Sequence, residues 1–134
     1  MTQEEKELLL KALCELLPYE VKVGVYMYTT KNYFTTTLKS INPTDGTFQV
    51  GSVHYGDLSR CKPYLRPMSS MTEEERYGYE GTRYQTFLEN GESERSDTAD
   101  TFDWLNAHHF DYRGLIDMGL ALEAPEGMYG TKTE

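Results

Sequence analysis

Residues 20–53, EVKVGVYMYTTKNYFTTTLKSINPTDGTFQVGSV, decide the fold of this chain. At the start of the segment, Val21, Val23 and Val25 alternate with polar or aromatic residues, which is the pattern of a half-buried β-strand. The rest of the segment is rich in aromatic and β-branched residues, and turn-forming Lys-Asn and Asn-Pro-Thr-Asp-Gly sequences interrupt it. The segment therefore predicts an antiparallel meander. Its strands are expected at 20–28, 33–41 and 47–53.

A helix is predicted before the meander. Thr2 and Glu5 form a T-x-x-E capping box, and Pro18 ends the segment. One face of this helix is apolar and consists of Leu9, Leu13, Leu16 and Leu17. We expect this face to cover the apolar side of the sheet. Residues 54–60 add a short fourth strand, which begins to close the sheet into a small barrel.

The second half of the chain reads as mainly helical. Residues 61–71 form an extended connector, because Pro63 and Pro67 prevent a continuous helix. Thr72 and Glu75 repeat the capping box at the start of the next helix. Further helices are expected to begin at Asp97 or Thr98 and at Asp111, with an exposed loop over 90–99.

These elements predict one α+β domain over residues 1–134. An N-terminal helix packs on a small antiparallel sheet or partly closed barrel, and a helical, acidic C-terminal half completes the domain. The expected parts are 1–60 (helix plus meander), 61–71 (extended connector), 72–124 (helical part) and 125–134 (loose tail).

The charge is unevenly distributed. The chain has 134 residues, 13 Lys+Arg and 22 Asp+Glu, and a formal net charge of -9, of which residues 61–134 carry -8. Because phosphate neutralisation needs clustered Lys and Arg, this balance argues against a nucleic-acid binder with a basic face. Acidic runs are usually solvated surface. The alternative is an acidic surface that imitates nucleic acid and occupies a basic groove on another protein.

Nothing in the sequence predicts export or a membrane span. The N-terminus has Glu4, Glu5 and Glu7 before only three leucines, and no apolar run approaches the ~20 residues that a bilayer requires. Cys14 and Cys61 have no CxxC spacing, so we expect reduced thiols. The chain is predicted to act in a reducing cytoplasm and to have no membrane partner.

No catalytic residue, metal ligand or cofactor is predicted. His108 and His109, with nearby aspartates, form the one cluster that resembles a metal or acid–base site. Adjacent histidines on a helix point about 100° apart, so they do not chelate one ion from one face. A small metal-dependent enzyme that uses His108 or His109 with an aspartate stays open as an alternative. The sequence lacks HExxH, G-x-S-x-G and phosphate-loop patterns.

Tyrosine is unusually frequent, with 11 residues against one tryptophan. Tyrosine gives a rigid contact area with a hydroxyl at its tip, which suits protein interfaces, although it also favours strands in general. Four tyrosines are expected to share the outer face of the meander. The segment 62–71 is either a binding segment or a strap between the two halves. The candidate partner-binding residues are Tyr26, Tyr28, Tyr33, Tyr55, Tyr64 and Arg66.

Three blocks resemble small proteins of phages and prophages of gut Bacteroides. They are KALCELLPYEVKV at 11–23, CKPYLRPMSSMTEEER at 61–76 and WLNAHHFDYRGLIDMGLALEAPEGMY at 104–129. The resemblance implies a setting, a phage protein in the bacterial cytoplasm, and carries no activity or cofactor with it. The leading hypothesis is a non-enzymatic accessory protein that binds a host or phage protein. The alternatives are the acidic mimic, a minor virion component and the metal-dependent enzyme.

Overall fold

The centre of the fold is the predicted antiparallel meander, seen in a computed structural model that describes residues 1–129. Its first two strands pair Val23 with Thr36 and Tyr26 with Tyr33, so one face is aliphatic and the other aromatic. The elements in chain order are α1 (Gln3–Leu16), β1 (Lys22–Met27), β2 (Asn32–Ile41), β3 (Phe48–Val50), β4 (Val53–Tyr55), β5 (Cys61–Leu65), α2 (Glu73–Gly81), β6 (Tyr84–Phe87), β7 (Ser93–Ser96), α3 (Ala99–Ala107) and β8 (Leu122–Glu123).

The main sheet has six strands and stays open. Their order is β4-β3-β2-β1-β5-β8, with β5 antiparallel to β1 and β8 parallel to β5. Within the described residues β4 and β8 are the two edges and do not pair with each other. The expected barrel closure is therefore wrong, and the sheet is mixed rather than purely antiparallel.

Helix α1 covers the aliphatic face of the sheet, as predicted. The Thr2 capping box is present: the Glu5 N–H donates to Thr2 Oγ1 at 3.0 Å, and the Thr2 N–H donates to Glu5 Oε1 at 2.9 Å. The buried core joins the leucines of α1 to the sheet, and each fully buried Leu, Val or Phe side chain contributes about 1.5–3 kcal/mol. Its main members are Leu9, Leu13, Leu16, Val21, Val23, Val25, Phe48 and Leu65.

The segment 61–71 is not merely an extended connector, because its first five residues are strand β5 in the interior of the sheet. Cys61, Pro63 and Leu65 are buried and alternate with half-buried residues. A proline lacks the N–H that a central strand normally donates. Here β8 pairs only with the two residues that follow Pro63, so the missing donor falls outside that pairing.

The predicted helical C-terminal half is not confirmed. Helices α2 and α3 have nine residues each, and the second capping box is present, with bonds of 2.9 and 3.1 Å between Thr72 and Glu75. Between the two helices, β6 and β7 form a separate hairpin over much of the expected loop 90–99. Gly91, at φ 89°, provides the left-handed turn residue that the hairpin needs.

The helix expected at Asp111 is a series of turns. The Asp111 carboxylate accepts the N–H of Leu115 at 2.8 Å, as a cap would. Gly114 and Gly119 both have left-handed backbone, which leaves no room for a regular helix between them. The Leu120 N–H still bonds the Leu115 carbonyl at 2.9 Å, as in a Schellman ending.

The structure describes only the first part of the predicted loose tail, 125–134. The side chain of Tyr129 is anchored to the sheet, and residues 130–134 lie outside the described residues. Across residues 1–129, each helix is too short or too polar to cross a bilayer.

Candidate functional site

The face of the sheet opposite α1 carries most of the predicted contact residues. Strand alternation turns the valines of β1 toward the core and Tyr26 away from it, directly opposite Tyr33 on β2. The same alternation in β5 turns Lys62 and Tyr64 outward. We call this surface the outer face. It consists of Lys22, Tyr26, Tyr28, Tyr33, Thr35, Thr37, Lys62, Tyr64 and Leu122.

Three tyrosines of the outer face support one another. The ring of Tyr26 meets Tyr28 edge-on at 5.4 Å between centroids and Tyr33 at 5.2 Å. Edge-to-face pairs contribute about 0.5–1.5 kcal/mol beyond burial. Tyr28 remains 63% exposed. The cluster is therefore rigid and still open to a partner.

Arg60 contacts the tyrosine cluster at Tyr26 and Tyr28, and the sequence did not predict it as a site residue. Its Nε and Nη2 donate to the Tyr26 carbonyl at 2.9 and 2.8 Å. Its guanidinium carbon lies 4.8 Å from the Tyr28 centroid and 4.9 Å from the Tyr55 centroid. Cation–π contacts of this kind fix ring positions. The sequence predicts a strand over 54–60, whereas the strand ends at Tyr55 and Arg60 is the last residue of the 3-10 turn Leu58–Arg60. Strand alternation therefore gave no signal for the contacts of Arg60.

In the middle of the outer face, Leu122 of β8 packs directly over Gly24 of β1. A Cβ on Gly24 would lie 2.8 Å from Leu122 Cδ1, so the glycine leaves the space that Leu122 fills. Tyr64 shares a hydrogen bond of 3.1 Å with the Thr35 hydroxyl, and Lys62 Nζ lies 5.5 Å from the Tyr33 centroid.

The outer face differs in charge from the rest of the chain. Strands β1, β2 and β5 contain Lys22, Lys39 and Lys62 and no Asp or Glu, although the whole chain carries -9. The lysine ammonium groups on these strands attract carboxylates. This local chemistry suits an acidic contact on a partner.

Two of the predicted contact residues do not belong to the outer face. Tyr55 pairs across the strands with the buried Phe48 and stacks on it at 5.2 Å, so it lies on the core side of β4. Alternation predicts this once β4 is aligned with β3. The expectation that Tyr55 shares the outer face with the other tyrosines is therefore wrong.

Arg66 is held by an ion pair. Its Nη1 and Nη2 donate to Glu75 Oε2 and Oε1 at 2.7 and 2.8 Å, and its guanidinium lies 4.2 Å from the Phe110 centroid. These hydrogen bonds, together with those from Thr72, lower the pKa of Glu75 to about 2, against the opposing effect of partial burial. Arg66 therefore connects β5 to α2 and is not an open contact residue, and in this part of 62–71 the chain acts as a strap.

His108 and His109 both bond to the backbone. The Nδ1 of His108 donates to the Trp104 carbonyl at 2.9 Å, and the Nε2 of His109 donates to the Tyr19 carbonyl at 2.8 Å. The ring of His109 stacks on Tyr129 at 3.6 Å, and burial lowers its pKa. These contacts give both imidazoles structural roles. Over residues 1–129, no three His, Cys, Asp or Glu side chains are grouped to hold a metal ion.

A cleft of about 850 Å³ lies beside these histidines. Arg66, His108 and Tyr129 line it, and each already bonds within the chain. The Tyr129 hydroxyl accepts the Lys22 N–H at 2.9 Å and donates to the Tyr64 carbonyl at 2.7 Å, bridging β1 and β5. These three side chains of the cleft are thus engaged in holding the fold together, whereas Tyr28 of the outer face is 63% exposed.

Comparison of the chain with protein-family models, with curated proteins and with solved structures gives no match. Function is therefore inferred from the chemistry of the surfaces themselves. Of these, the outer face combines rigid aromatic side chains, exposure and a charge opposite to that of the chain.

Proposed function

We propose that this protein is a non-catalytic binding protein of phage or prophage origin that holds a host or phage protein on its outer face. The setting, a bacterial cytoplasm, follows from the resemblance of its sequence blocks to Bacteroides phage proteins. The observation that carries the proposal is the outer face itself. Four tyrosines and two lysines share it, without a carboxylate on β1, β2 or β5.

Tyrosine clusters of this kind suit protein contacts. Tyr loses little conformational entropy on binding, is enriched among the residues that dominate interface energies, and offers both a ring and a hydroxyl. The contacts among Tyr26, Tyr28 and Tyr33 fix the rings before a partner arrives, which reduces the entropy cost of association.

The charge indicates the kind of partner. Lys22 Nζ donates to Thr37 Oγ1 at 3.2 Å, and Lys62 Nζ lies 5.5 Å from the Tyr33 ring centroid, so both ammonium groups lie on the outer face. A partner segment that presents Asp or Glu would pair with them. An acidic protein contact is favoured over a nucleic acid, because two lysines are few for phosphate neutralisation in a chain of net charge -9.

The test is capture of interacting proteins from a Bacteroides lysate, with and without nuclease, read by mass spectrometry. The double variant Tyr26→Ala with Tyr28→Ala should lose the captured protein, and Lys62→Glu should weaken capture more steeply at low salt. Tyr77→Ala is the matched control, since Tyr77 is an exposed tyrosine on α2. Circular dichroism confirms that each variant is folded. Capture that is equal for all folded variants would refute the proposal.

A further inference from the structure

The hairpin formed by β6 and β7 is exposed to solvent. All eight strand residues are exposed, and Tyr84, Phe87 and Leu88 are 62%, 75% and 38% exposed. An isolated two-stranded hairpin is at best marginally stable in water. Large exposed apolar side chains on such an element indicate a surface that is covered in use. We call residues 84–96 the arm.

Both faces of the arm carry an aromatic ring. Tyr84 and Phe87 are three positions apart, so they project from opposite faces of the ribbon. Across the strands, Tyr84 faces Ser96 and Phe87 faces Ser93. Serine is too small to cover either ring. A flat surface would bury one ring and leave the other in water, whereas a groove would bury both.

The root of the arm is fixed to the body of the protein. The hydroxyls of Thr98 and the fully buried Thr101 both donate to the Thr82 carbonyl, at 2.9 and 3.0 Å. Arg83 Nε donates to Asp97 at 2.9 Å, and its Nη2 donates to the Arg95 carbonyl at 3.1 Å. The arm is therefore held at its base in an extended position, which lowers the entropy cost of inserting it.

The charge that the arm presents is negative. Its arginine, Arg95, lies 3.8 Å from Glu80, so it is partly neutralised within the chain. The exposed Glu89, Glu92 and Glu94 make no ion pair with any residue of the described part of the chain. The arm thus offers two aromatic rings and three free carboxylates.

We propose that the arm inserts into a groove on a partner protein that is apolar at its centre and lined with Lys or Arg at its rim. The groove takes Tyr84 and Phe87 on its two walls, and its basic rim pairs with Glu89, Glu92 and Glu94. This contact is independent of the outer face, which carries the opposite charge. A second copy of the chain, whose outer face carries Lys22 and Lys62, is a different occupant and is distinguished by the test below.

The experiment is site-specific photo-cross-linking with a benzophenone amino acid replacing Phe87 in the full chain, in a Bacteroides lysate. The same group replacing Val53, an exposed residue at the far edge of the main sheet, is the control. Adducts are identified by mass spectrometry to the cross-linked peptide. The identified protein is then purified, and its affinity for the chain is measured directly.

The expected result is an adduct specific to position 87 whose cross-linked peptide lies in a groove with Lys or Arg. The variant Tyr84→Thr with Phe87→Thr keeps strand-forming residues and should bind the purified partner at least about 30-fold more weakly. Glu89→Gln, Glu92→Gln and Glu94→Gln should each weaken binding about threefold at low salt and reduce its salt dependence.

Three outcomes overturn the proposal. One is no adduct above the Val53 control, and another is an adduct only between copies of this chain. The third is a partner whose affinity is unchanged by the threonine variant. Because Tyr26 and Tyr28 lie on the outer face, the Tyr26→Ala/Tyr28→Ala variant should leave the cross-link at position 87 intact, which separates failure of this proposal from failure of outer-face binding.

Discussion

Replacing Glu75 by glutamine should destabilise the protein through loss of the ion pair with Arg66. This pair ties strand β5 to helix α2, and Glu75 Oε1 also accepts the Thr72 N–H that caps the helix. In the Glu75→Gln variant the guanidinium of Arg66, of which the side chain is only 11% exposed, loses its counter-ion. A largely buried charge without its partner is costly.

The magnitude follows from the pKa. Arg66, with a smaller contribution from the hydrogen bonds of Thr72, lowers the pKa of Glu75 from 4.5 to about 2, which corresponds to about 3 kcal/mol of stabilisation of the charged form by both residues together. Water still reaches the 15% of the Glu75 side chain that is exposed and screens part of this energy. We therefore expect Glu75→Gln to lower the free energy of unfolding by about 1–2 kcal/mol at neutral pH, and Tm by about 4–10 °C.

The effect should depend on pH in a defined direction. Because the folded pKa is depressed, the stabilisation is complete above the ordinary pKa of 4.5 and is lost as pH falls toward about 2. The difference between wild type and Glu75→Gln should therefore shrink as the solution is acidified below pH 4.5. Thermal and urea unfolding, followed by circular dichroism over this range, measure it.

Glu74→Gln is the matched control. Glu74 is the preceding residue in the first turn of α2, so it interacts with the same end of the helix dipole, yet it is exposed and outside the Arg66 pair. We expect its substitution to change the free energy of unfolding by less than about 0.5 kcal/mol. Equal destabilisation by both variants, or a Glu75→Gln effect that is constant with pH, would refute the ion-pair argument.

Three further predictions concern the sheet. Tyr129→Phe removes the hydroxyl that bridges β1 and β5, so it should lower the free energy of unfolding by about 1–2 kcal/mol and accelerate hydrogen exchange at the Lys22 amide. An unchanged exchange rate at Lys22 would contradict the bridge. Gly24→Ala should lower the free energy of unfolding by about 1–3 kcal/mol, because the new methyl group would lie 2.8 Å from Leu122 Cδ1. Leu122→Ala should relieve this clash, so the double variant should lose less stability than the sum of the two single variants. Simple additivity of the two losses would contradict the clash. Burial raises the pKa of the Cys61 thiol to about 12, so a thiol reagent at pH 8 should modify Cys61 only in the unfolded chain, and rapid native labelling would contradict its burial.

Where short-range patterns determine structure, the sequence predicted it correctly. Alternation of valine with other residues placed β1 and its two faces, and the capping boxes at Thr2 and Thr72 placed the starts of two helices. In both cases the decisive interactions join residues a few positions apart, or repeat with the strand period.

Where pairing with a distant segment determines the structure, local sequence patterns are weaker predictors. Pro63 and Pro67 led to the prediction of an extended connector, although the residues of β5 alternate between buried and half-buried. The neighbouring strand β8 lies far along the chain, so no local pattern indicates the pairing. The placement of Arg60 among the tyrosines, and of Arg66 over Phe110, arises from tertiary contacts that have no fixed spacing. The sequence of the arm has no alternating apolar pattern of a buried strand, so it did not predict strands there. This agrees with the structure, in which all eight strand residues of the arm are exposed.

The opposite charges of the outer face and the arm make the two proposed contacts separable. Lys62→Glu weakens a carboxylate contact on the outer face but leaves the arm unchanged, whereas Glu94→Gln does the reverse. If both substitutions weakened binding of one purified partner, that partner would have to span both surfaces, with an acidic patch for one and a basic groove for the other. The double variant then distinguishes two cases. If the losses of binding free energy from the two substitutions add, the two contacts act independently; if they do not add, the two contacts are coupled within one interface.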